Sequence, residues 1–103
     1  MDAVQECMNM IAHAGEAKSL ALLAITQARE SNFTEAAETL KKADEALLLS
    51  HQAHVNLLFH DAQHQDLQVT IFMVHAADHL SSAETIRTIA DEMIMLHREV
   101  KHA

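Results

Sequence analysis

A single glycine and the complete absence of proline constrain the fold of this 103-residue chain more than any other feature. Sandwiches, barrels and hairpin-rich folds need glycine and proline at many turns, so these β folds are excluded. The lone Gly15 also cannot form the glycine-rich loop that holds phosphate in nucleotide-binding proteins. The chain is therefore predicted to be all-α, and its length predicts one domain that covers residues 1–103.

The charge balance of the chain restricts its partners. Seven Lys and Arg residues stand against fifteen Asp and Glu residues, which leaves a formal net charge of −8. A nucleic-acid partner is not expected, because binding to phosphates requires positive charge. Half of the residues are hydrophobic, so the chain is predicted to fold around a core rather than to form a disordered acidic tail.

The sequence shows no sign of export or of insertion into a membrane. Its longest apolar run, residues 20–25, is far shorter than the roughly 20 residues that span a bilayer. Its first residues are acidic rather than basic, unlike a signal peptide, and the single Cys7 cannot form an internal disulfide. We therefore expect a cytoplasmic protein with no direct membrane insertion, in which Cys7 is a small buried residue.

Hydrophobic residues at helical spacing predict three helices, over residues 3–29, 33–60 and 67–102. Asn32 and Glu35 match a capping box at the start of the second helix. Because only short polar breaks separate these long helices, the predicted architecture is an up-down-up antiparallel three-helix bundle.

The first predicted helix has two neighbouring stripes of hydrophobic residues. One consists of larger side chains, namely Val4, Met8, Ile11, Leu22 and Ile25. The other consists of small side chains, namely Cys7, Ala14, Ala21 and Ala28. Small residues along one side allow a neighbouring helix to approach closely, so both stripes are expected to contribute to packing.

Positions spaced alternately by three and four residues form a seam along the third predicted helix. These positions are Phe72, His75, His79, Ser82, Ile86, Ile89, Met93, Leu96 and Val100. The seam is apolar in its C-terminal half, but His75, His79 and Ser82 interrupt it near the start. Because burying an unpaired polar group costs about 1–3 kcal/mol, these three side chains are expected to have partners or to face a cleft.

Residues 69–74 (Val-Thr-Ile-Phe-Met-Val) are apolar almost all the way round the same helix. A helix that is apolar on every side is buried on every side, whereas a lone three-helix bundle leaves one side of each helix in water. We therefore expect an oligomer in which the third helix is central.

The segment His75-Ala76-Ala77-Asp78-His79 carries the chemistry, because His75, Asp78 and His79 project from one side of a helix. The spacing is compatible with a transition-metal site that uses all three side chains as ligands. It is equally compatible with a nucleophilic histidine that accepts a phosphoryl group, since a neutral imidazole carries a nucleophilic nitrogen. Both histidines could instead be hydrogen-bonded structural residues, and the spacing alone leaves these three interpretations open.

Residues 69–80, which read V-T-I-F-M-V-H-A-A-D-H-L, resemble the active-site helix of the lactose/cellobiose-type enzyme IIA of the bacterial sugar phosphotransferase system. The resemblance extends over nearly the whole chain. It includes residues 11–18 (I-A-H-A-G-E-A-K), Asn32-Phe33, Ser50-His51 and Leu57-Leu58. It implies a three-helix subunit that assembles into a nine-helix homotrimer.

The resemblance also implies roles for residues and partners. His75 would accept a phosphoryl group from the carrier protein HPr and pass it to a cysteine of the cognate enzyme IIB during disaccharide uptake. Asp78 of each subunit would gather at the threefold axis and bind a divalent cation, taken as Mg²⁺. A phosphohistidine in an acidic protein needs local hydrogen-bond donors, and we expect His79 and a hydroxyl of Ser81 or Ser82 to supply them, with Ser82 as the candidate in the seam. The alternatives are a metal-binding helical oligomer without phosphoryl transfer and a purely structural helical module.

Two positions depart from the usual pattern of this family. Ala77 stands where family members usually have Gln within the His-x-Gln-Asp-His motif, and His54 stands where they usually have Gln in the second helix. If those Gln side chains hold the imidazole or the phosphate, this protein does so differently. A buried, hydrogen-bonded His54 is the favoured interpretation, and a supporting role at the phosphoryl site is the alternative.

Overall fold

A computed structural model describes residues 1–102. It contains three α-helices: α1 (Ala3–Arg29), α2 (Phe33–His64) and α3 (Ile71–Lys101). Consecutive helices run antiparallel, so that α1 and α3 point the same way, along a bundle of 56 × 18 × 17 Å. The part of the chain that the structure describes contains no strand, so the predicted all-α, three-helix fold is confirmed.

The ends of the second and third helices differ from the sequence prediction. α2 continues to His64, four residues beyond the predicted end, because its last residues are polar but compatible with a helix. The helix ends where Gln65 adopts the left-handed conformation, with φ 50° and ψ 35°. α3 begins at Ile71 rather than at residue 67, and the Thr70 hydroxyl accepts a hydrogen bond from the Met73 N–H at 3.2 Å. Thr70 is therefore the N-cap that the prediction overlooked.

The predicted capping box at α2 is wrong in its geometry. Asn32 occupies the N-cap position, but its side chain makes no capping hydrogen bond. Its backbone conformation, with φ −91° and ψ 66°, lies outside the extended region usual for a capping residue. The backbone carbonyl of Asn32 still accepts the first helical hydrogen bond, from the Ala36 N–H at 2.9 Å.

The core of the bundle is built mainly from alanine. The small-residue stripe of α1 is fully buried, whereas Val4, Met8 and Leu22 of the larger stripe are exposed. Fully buried alanines line the inner face of every helix; they include Ala14, Ala17, Ala21, Ala24, Ala28, Ala36, Ala43, Ala76, Ala83 and Ala90. Small side chains bring the helices close together, and the larger apolar side chains are left to cover outer surfaces.

Ser50 and Cys7 place a hydroxyl and a thiol among the buried residues of the bundle. Ser50 is completely buried, and its hydroxyl donates a hydrogen bond of 2.8 Å to the Met10 carbonyl, which joins α2 to α1. Cys7 is 1% exposed, as the sequence predicts. Burial raises the pKa of the Cys7 thiol, and the negative charge of Glu6 raises it further. The thiol therefore stays protonated and unreactive at neutral pH.

Polar contacts link α2 to α3 along the surface. Nε and Nη2 of Arg87 donate hydrogen bonds to the two Asp44 carboxylate oxygens at 2.6 and 3.0 Å. These hydrogen bonds raise the pKa of the Arg87 guanidinium. Farther along, His51 Nε2 lies 2.7 Å from the Glu84 carboxylate. These contacts set the register of the two helices, with the end of α2 beside the start of α3.

The inner face of α3 lies about 100° from the predicted seam. The buried column consists of Ala76, Leu80, Ala83, Ala90 and Ile94, each one position beyond a predicted seam residue. The seam itself follows the outer edge of the helix, where His75, Ile89, Leu96 and Val100 are exposed.

The apolar segment before His75 is not buried within one chain. The exposed fractions are 78% for Val69, 89% for Ile71 and 61% for Val74. Most of this segment therefore lies on the outside of a single bundle, whereas the sequence predicts that it is buried on every side. Only contact with another molecule can cover these side chains.

Candidate functional site

His75 and His79 lie one turn apart on α3 and contact each other directly. Their Nε2 atoms are 3.1 Å apart, and the rings meet edge to face with centroids 4.5 Å apart. His75 is exposed and His79 is half-buried. The structure therefore brings together two of the predicted site residues and leaves the His75 side chain exposed at the surface of the chain.

The hydrogen bond between these two histidines has a chemical consequence. One Nε2 must carry a proton and donate it, and the other must accept with its lone pair. If His79 is the donor, the lone pair of His75 is on Nε2; if His75 is the donor, its lone pair is on Nδ1. A neutral His75 imidazole keeps one nitrogen lone pair in either arrangement, and such a lone pair is what phosphoryl acceptance requires.

Asp78 is exposed on the outer face of α3, in line with Ile71, Ser82 and Ile89. Ser82, the predicted hydroxyl donor, is half-buried one turn beyond Asp78. Within residues 1–102 no three His, Cys, Asp or Glu side chains are arranged to hold a metal ion. The predicted ligand set of His75, Asp78 and His79 therefore does not form within one chain. A carboxylate oxygen is a ligand that Mg²⁺ accepts, so Asp78 fits a site to which each of several chains contributes one ligand.

His54 lies on the other side of α3 from His75. It is half-buried and lines an open cavity of about 180 Å³ between α2 and α3, so it is not the sealed core residue that the sequence favoured. Met73 and Ala77 line the same cavity. These two residues lie two positions before and after His75, so they project from nearly the opposite face of the helix. The structure therefore separates His54 from His75 within one chain but places it beside Ala77.

The net charge is concentrated in the half of the bundle that contains His75. This half comprises residues 1–16 and 48–86, and it contains no Lys or Arg. It contains seven of the fifteen acidic residues, namely Asp2, Glu6, Glu16, Asp61, Asp66, Asp78 and Glu84. The other half contains the remaining eight acidic residues and all seven basic ones. A charge of −7, out of the total net charge of −8, therefore lies in the half that contains His75. The sequence analysis missed this polarity, although the absence of basic residues between Lys42 and Arg87 signals it.

Comparison with known proteins establishes the family. The family model for the "PTS system, Lactose/Cellobiose specific IIA subunit" matches residues 5–98. The chain belongs to this family. The resemblance stated from the sequence is thereby confirmed.

Individual relatives agree with this assignment. The chain is 37% identical over 94 residues to the galactose-specific EIIA component of Lactococcus lactis, which covers 91% of this chain and 81% of the relative. The crystal structure of the cellobiose-specific enzyme IIA from Bacillus anthracis matches with a TM-score of 0.94 and 29% identity, covering 99% of this chain and 94% of that one. The IIA(chitobiose) structure in complex with HPr from Escherichia coli matches with a TM-score of 0.85 and 30% identity, covering 98% of both chains.

These comparisons bear on the interpretations that the spacing of His75, Asp78 and His79 leaves open. Family membership favours a phosphotransferase-system component of sugar uptake over a metal-binding helical oligomer that transfers no phosphoryl group. Within residues 1–102 no helix is long and apolar enough to cross a membrane.

Proposed function

We propose that this protein is a cytoplasmic phosphoryl carrier that accepts a phosphoryl group from HPr on His75 and passes it to a cysteine of a cognate enzyme IIB. The observation that supports this proposal most strongly is the exposed His75 imidazole, held by its hydrogen bond to His79 at the position that matches the family motif. The structure of an E. coli relative in complex with HPr supports HPr as the donor. Several relatives' names support a disaccharide of the lactose, cellobiose or chitobiose class as the transported sugar, whereas the Lactococcus lactis relative is named for galactose, a monosaccharide.

Each transfer exchanges one bond to phosphorus for another. In the first step the lone pair of a neutral His75 nitrogen bonds to phosphorus, and the electron pair of the broken bond returns to the leaving atom on HPr. In the second step the thiolate sulfur of enzyme IIB bonds to phosphorus, and the electron pair returns to the His75 nitrogen. The protein supplies an oriented imidazole and hydrogen-bond donors, and neither step needs water or a nucleotide.

We assign the role of hydrogen-bond donor to His79 and Ser82. The His79 ring already lies within hydrogen-bond distance of His75, so its N–H can turn from the imidazole to a phosphoryl oxygen without a change of backbone. Ser82 is two turns beyond His75 on the same helix and offers a hydroxyl near the outer face. Hydrogen bonds to a charged oxygen stabilise it by about 1.5–3 kcal/mol each.

The exposed face of α3 supports assembly into a homotrimer of nine helices. Ile71, Val74, Ile89, Leu96 and Val100 leave a long apolar surface in water unless other copies cover it. A threefold axis along this face brings three Asp78 carboxylates together, and these would repel one another strongly in a medium of low dielectric constant. A divalent cation, taken as Mg²⁺, would neutralise that charge. In this proposal the cation stabilises the trimer and takes no part in the transfer.

The test of the carrier function is phosphorylation in a purified system. Incubation with phosphoenolpyruvate, enzyme I and HPr should add one phosphoryl group per chain, measured by intact mass. His75→Ala should abolish the addition, whereas His97→Ala, at the far end of α3, should not. An unmodified wild-type protein, or a phosphorylated His75→Ala variant, would contradict the proposal.

The trimer and its cation can be tested independently of transfer. Light scattering of the wild type at micromolar concentration should give the mass of three chains. Asp78→Leu should abolish stoichiometric Mg²⁺ binding in calorimetry while His75 is still phosphorylated. A monomeric wild type would contradict the assembly, and unchanged Mg²⁺ binding by Asp78→Leu would contradict the axial site.

A further inference from the structure

We propose that His54 acts across the subunit interface, where its imidazole N–H donates a hydrogen bond to the phosphoryl group on His75 of the neighbouring copy. This inference rests on the proposed trimeric carrier and deepens it. It starts from the finding that His54 and Ala77 line one cavity between α2 and α3 whose lining does not include His75 of the same chain.

The positions of residues around α3 define two flanks of its outer face. With about 100° per residue, His75 lies roughly 60° to one side of Asp78, and Ala77 lies about 100° to the other side. Glu84 lies on the same flank as Ala77 and contacts His51 of α2 at 2.7 Å, so this flank borders α2. The His75 flank therefore lies away from α2, on the side of α1.

Rotational symmetry brings opposite flanks together. If three copies meet around an axis that passes the Asp78 side chains, the His75 flank of each copy faces the Ala77 flank of the next. The cavity that His54 lines between α2 and α3 of one copy, called the groove below, then faces His75 of the neighbouring copy. A phosphoryl group on His75 would project towards this groove.

The groove lies at the level of His75 and offers a suitable donor. Met73 and Ala77, which line the cavity, bracket His75 along the helix. The short side chain of Ala77 leaves the cavity of about 180 Å³ open beside the His54 imidazole. Imidazole and a Gln amide both donate through N–H, so His54 can perform from α2 what a Gln can do. Leu57, Leu58 and Met73 form apolar walls of the cavity, and the acidic Asp61 lines it as well, so His54 is the lining residue whose side chain can donate a hydrogen bond.

Three substitutions at residue 54 separate donation from packing. His54→Leu, which keeps the volume but cannot donate, and His54→Ala should each slow transfer from phospho-HPr by about tenfold, measured by rapid quench. His54→Gln, which keeps an N–H donor, should transfer within about threefold of the wild type. His64→Ala, which changes an exposed histidine at the end of α2, is the matched control and should have no effect.

Mixed trimers test whether His54 acts on its own chain or on the next. Chains carrying His75→Ala have no acceptor but supply an intact His54, and chains carrying His54→Leu supply only the acceptor. After the two are unfolded and refolded together in equal amounts, about half of the acceptor sites should regain the wild-type rate, because half have a neighbour with His54. The time course should then be biphasic, whereas His54→Leu alone gives one slow phase.

The outcomes distinguish this inference from the proposed function. A wild type that is not phosphorylated, or that is monomeric, contradicts the carrier or its assembly. A phosphorylated trimer in which His54→Leu transfers as fast as the wild type overturns the role of His54. A slow His54→Leu that shows no fast phase after mixing overturns action across the interface, and the appearance of the fast phase establishes it.

Discussion

At the scale of single residues, Gly15 is a glycine that the packing of the chain does not require. It lies within α1, and a Cβ atom added to it would meet nothing within 4 Å. Packing inside the chain therefore does not require a glycine, and its backbone is helical rather than in the left-handed region that favours glycine.

We predict that Gly15→Ala raises the free energy of unfolding by about 1 kcal/mol, because alanine loses less backbone entropy in a helix. Urea denaturation at low protein concentration measures this change. The neighbouring Ala14→Gly is the control and should lower stability by more than about 1 kcal/mol, since Ala14 is completely buried. A destabilised Gly15→Ala variant would contradict the prediction.

The histidines illustrate which residue roles a sequence can assign. The spacing of His75 and His79 predicts that they share a face, and the structure confirms their contact at 3.1 Å. The position of His54 was less predictable, because its surroundings come from α2, α3 and the segment between them. The sequence predicted either a buried, hydrogen-bonded His54 or a supporting role for it at the phosphoryl site. Only the packing of the helices shows that His54 lines an open cavity.

At the scale of elements, α3 shows how a correct period can identify the wrong face. The predicted seam has the right spacing, but the buried column lies one residue, or about 100°, farther round the helix. The cause is the alanine-rich core, because buried alanines carry a weak hydrophobic signal while the larger exposed residues carry a strong one. Periodicity therefore identified a face of α3 that is largely exposed in a single chain.

The contact between Asp44 and Arg87 provides a test of how α2 and α3 are held together. We predict a coupling free energy of about 0.5–1 kcal/mol between these side chains, because the pair is bidentate but partly exposed. A double-mutant cycle with Asp44→Ala and Arg87→Ala in urea denaturation measures it. The coupling should decrease in 1 M salt, and a value unchanged by salt would contradict an electrostatic origin.

At the scale of the whole molecule, the charge is unevenly distributed, and this bears on the approach of the proposed partners. The half around His75 contains seven acidic residues and no Lys or Arg. Such a field attracts proteins with a basic face and speeds their association, and salt screens the attraction. Both proposed partners, HPr and enzyme IIB, would have to approach this half to reach His75.

We predict that Asp66→Lys, in the exposed segment between α2 and α3 and outside the cavity that His54 lines, slows transfer from phospho-HPr several-fold at low salt. Glu38→Lys makes the same charge change on an exposed residue of the opposite half and should have little effect. Stopped-flow measurements in 0.05 M and 0.5 M salt should show the difference shrinking as salt rises. Equal effects of the two substitutions would contradict steering by the acidic half.

The sequence by itself determined the helical class, the number of helices and the family. Those properties depend on local terms, namely the absence of turn-forming residues, the helical period and a contiguous motif around His75. Tertiary structure decided which face of α3 is buried, where α2 ends and what surrounds His54. These features depend on how closely three alanine-lined helices approach one another, and contacts between residues far apart in the chain determine that distance.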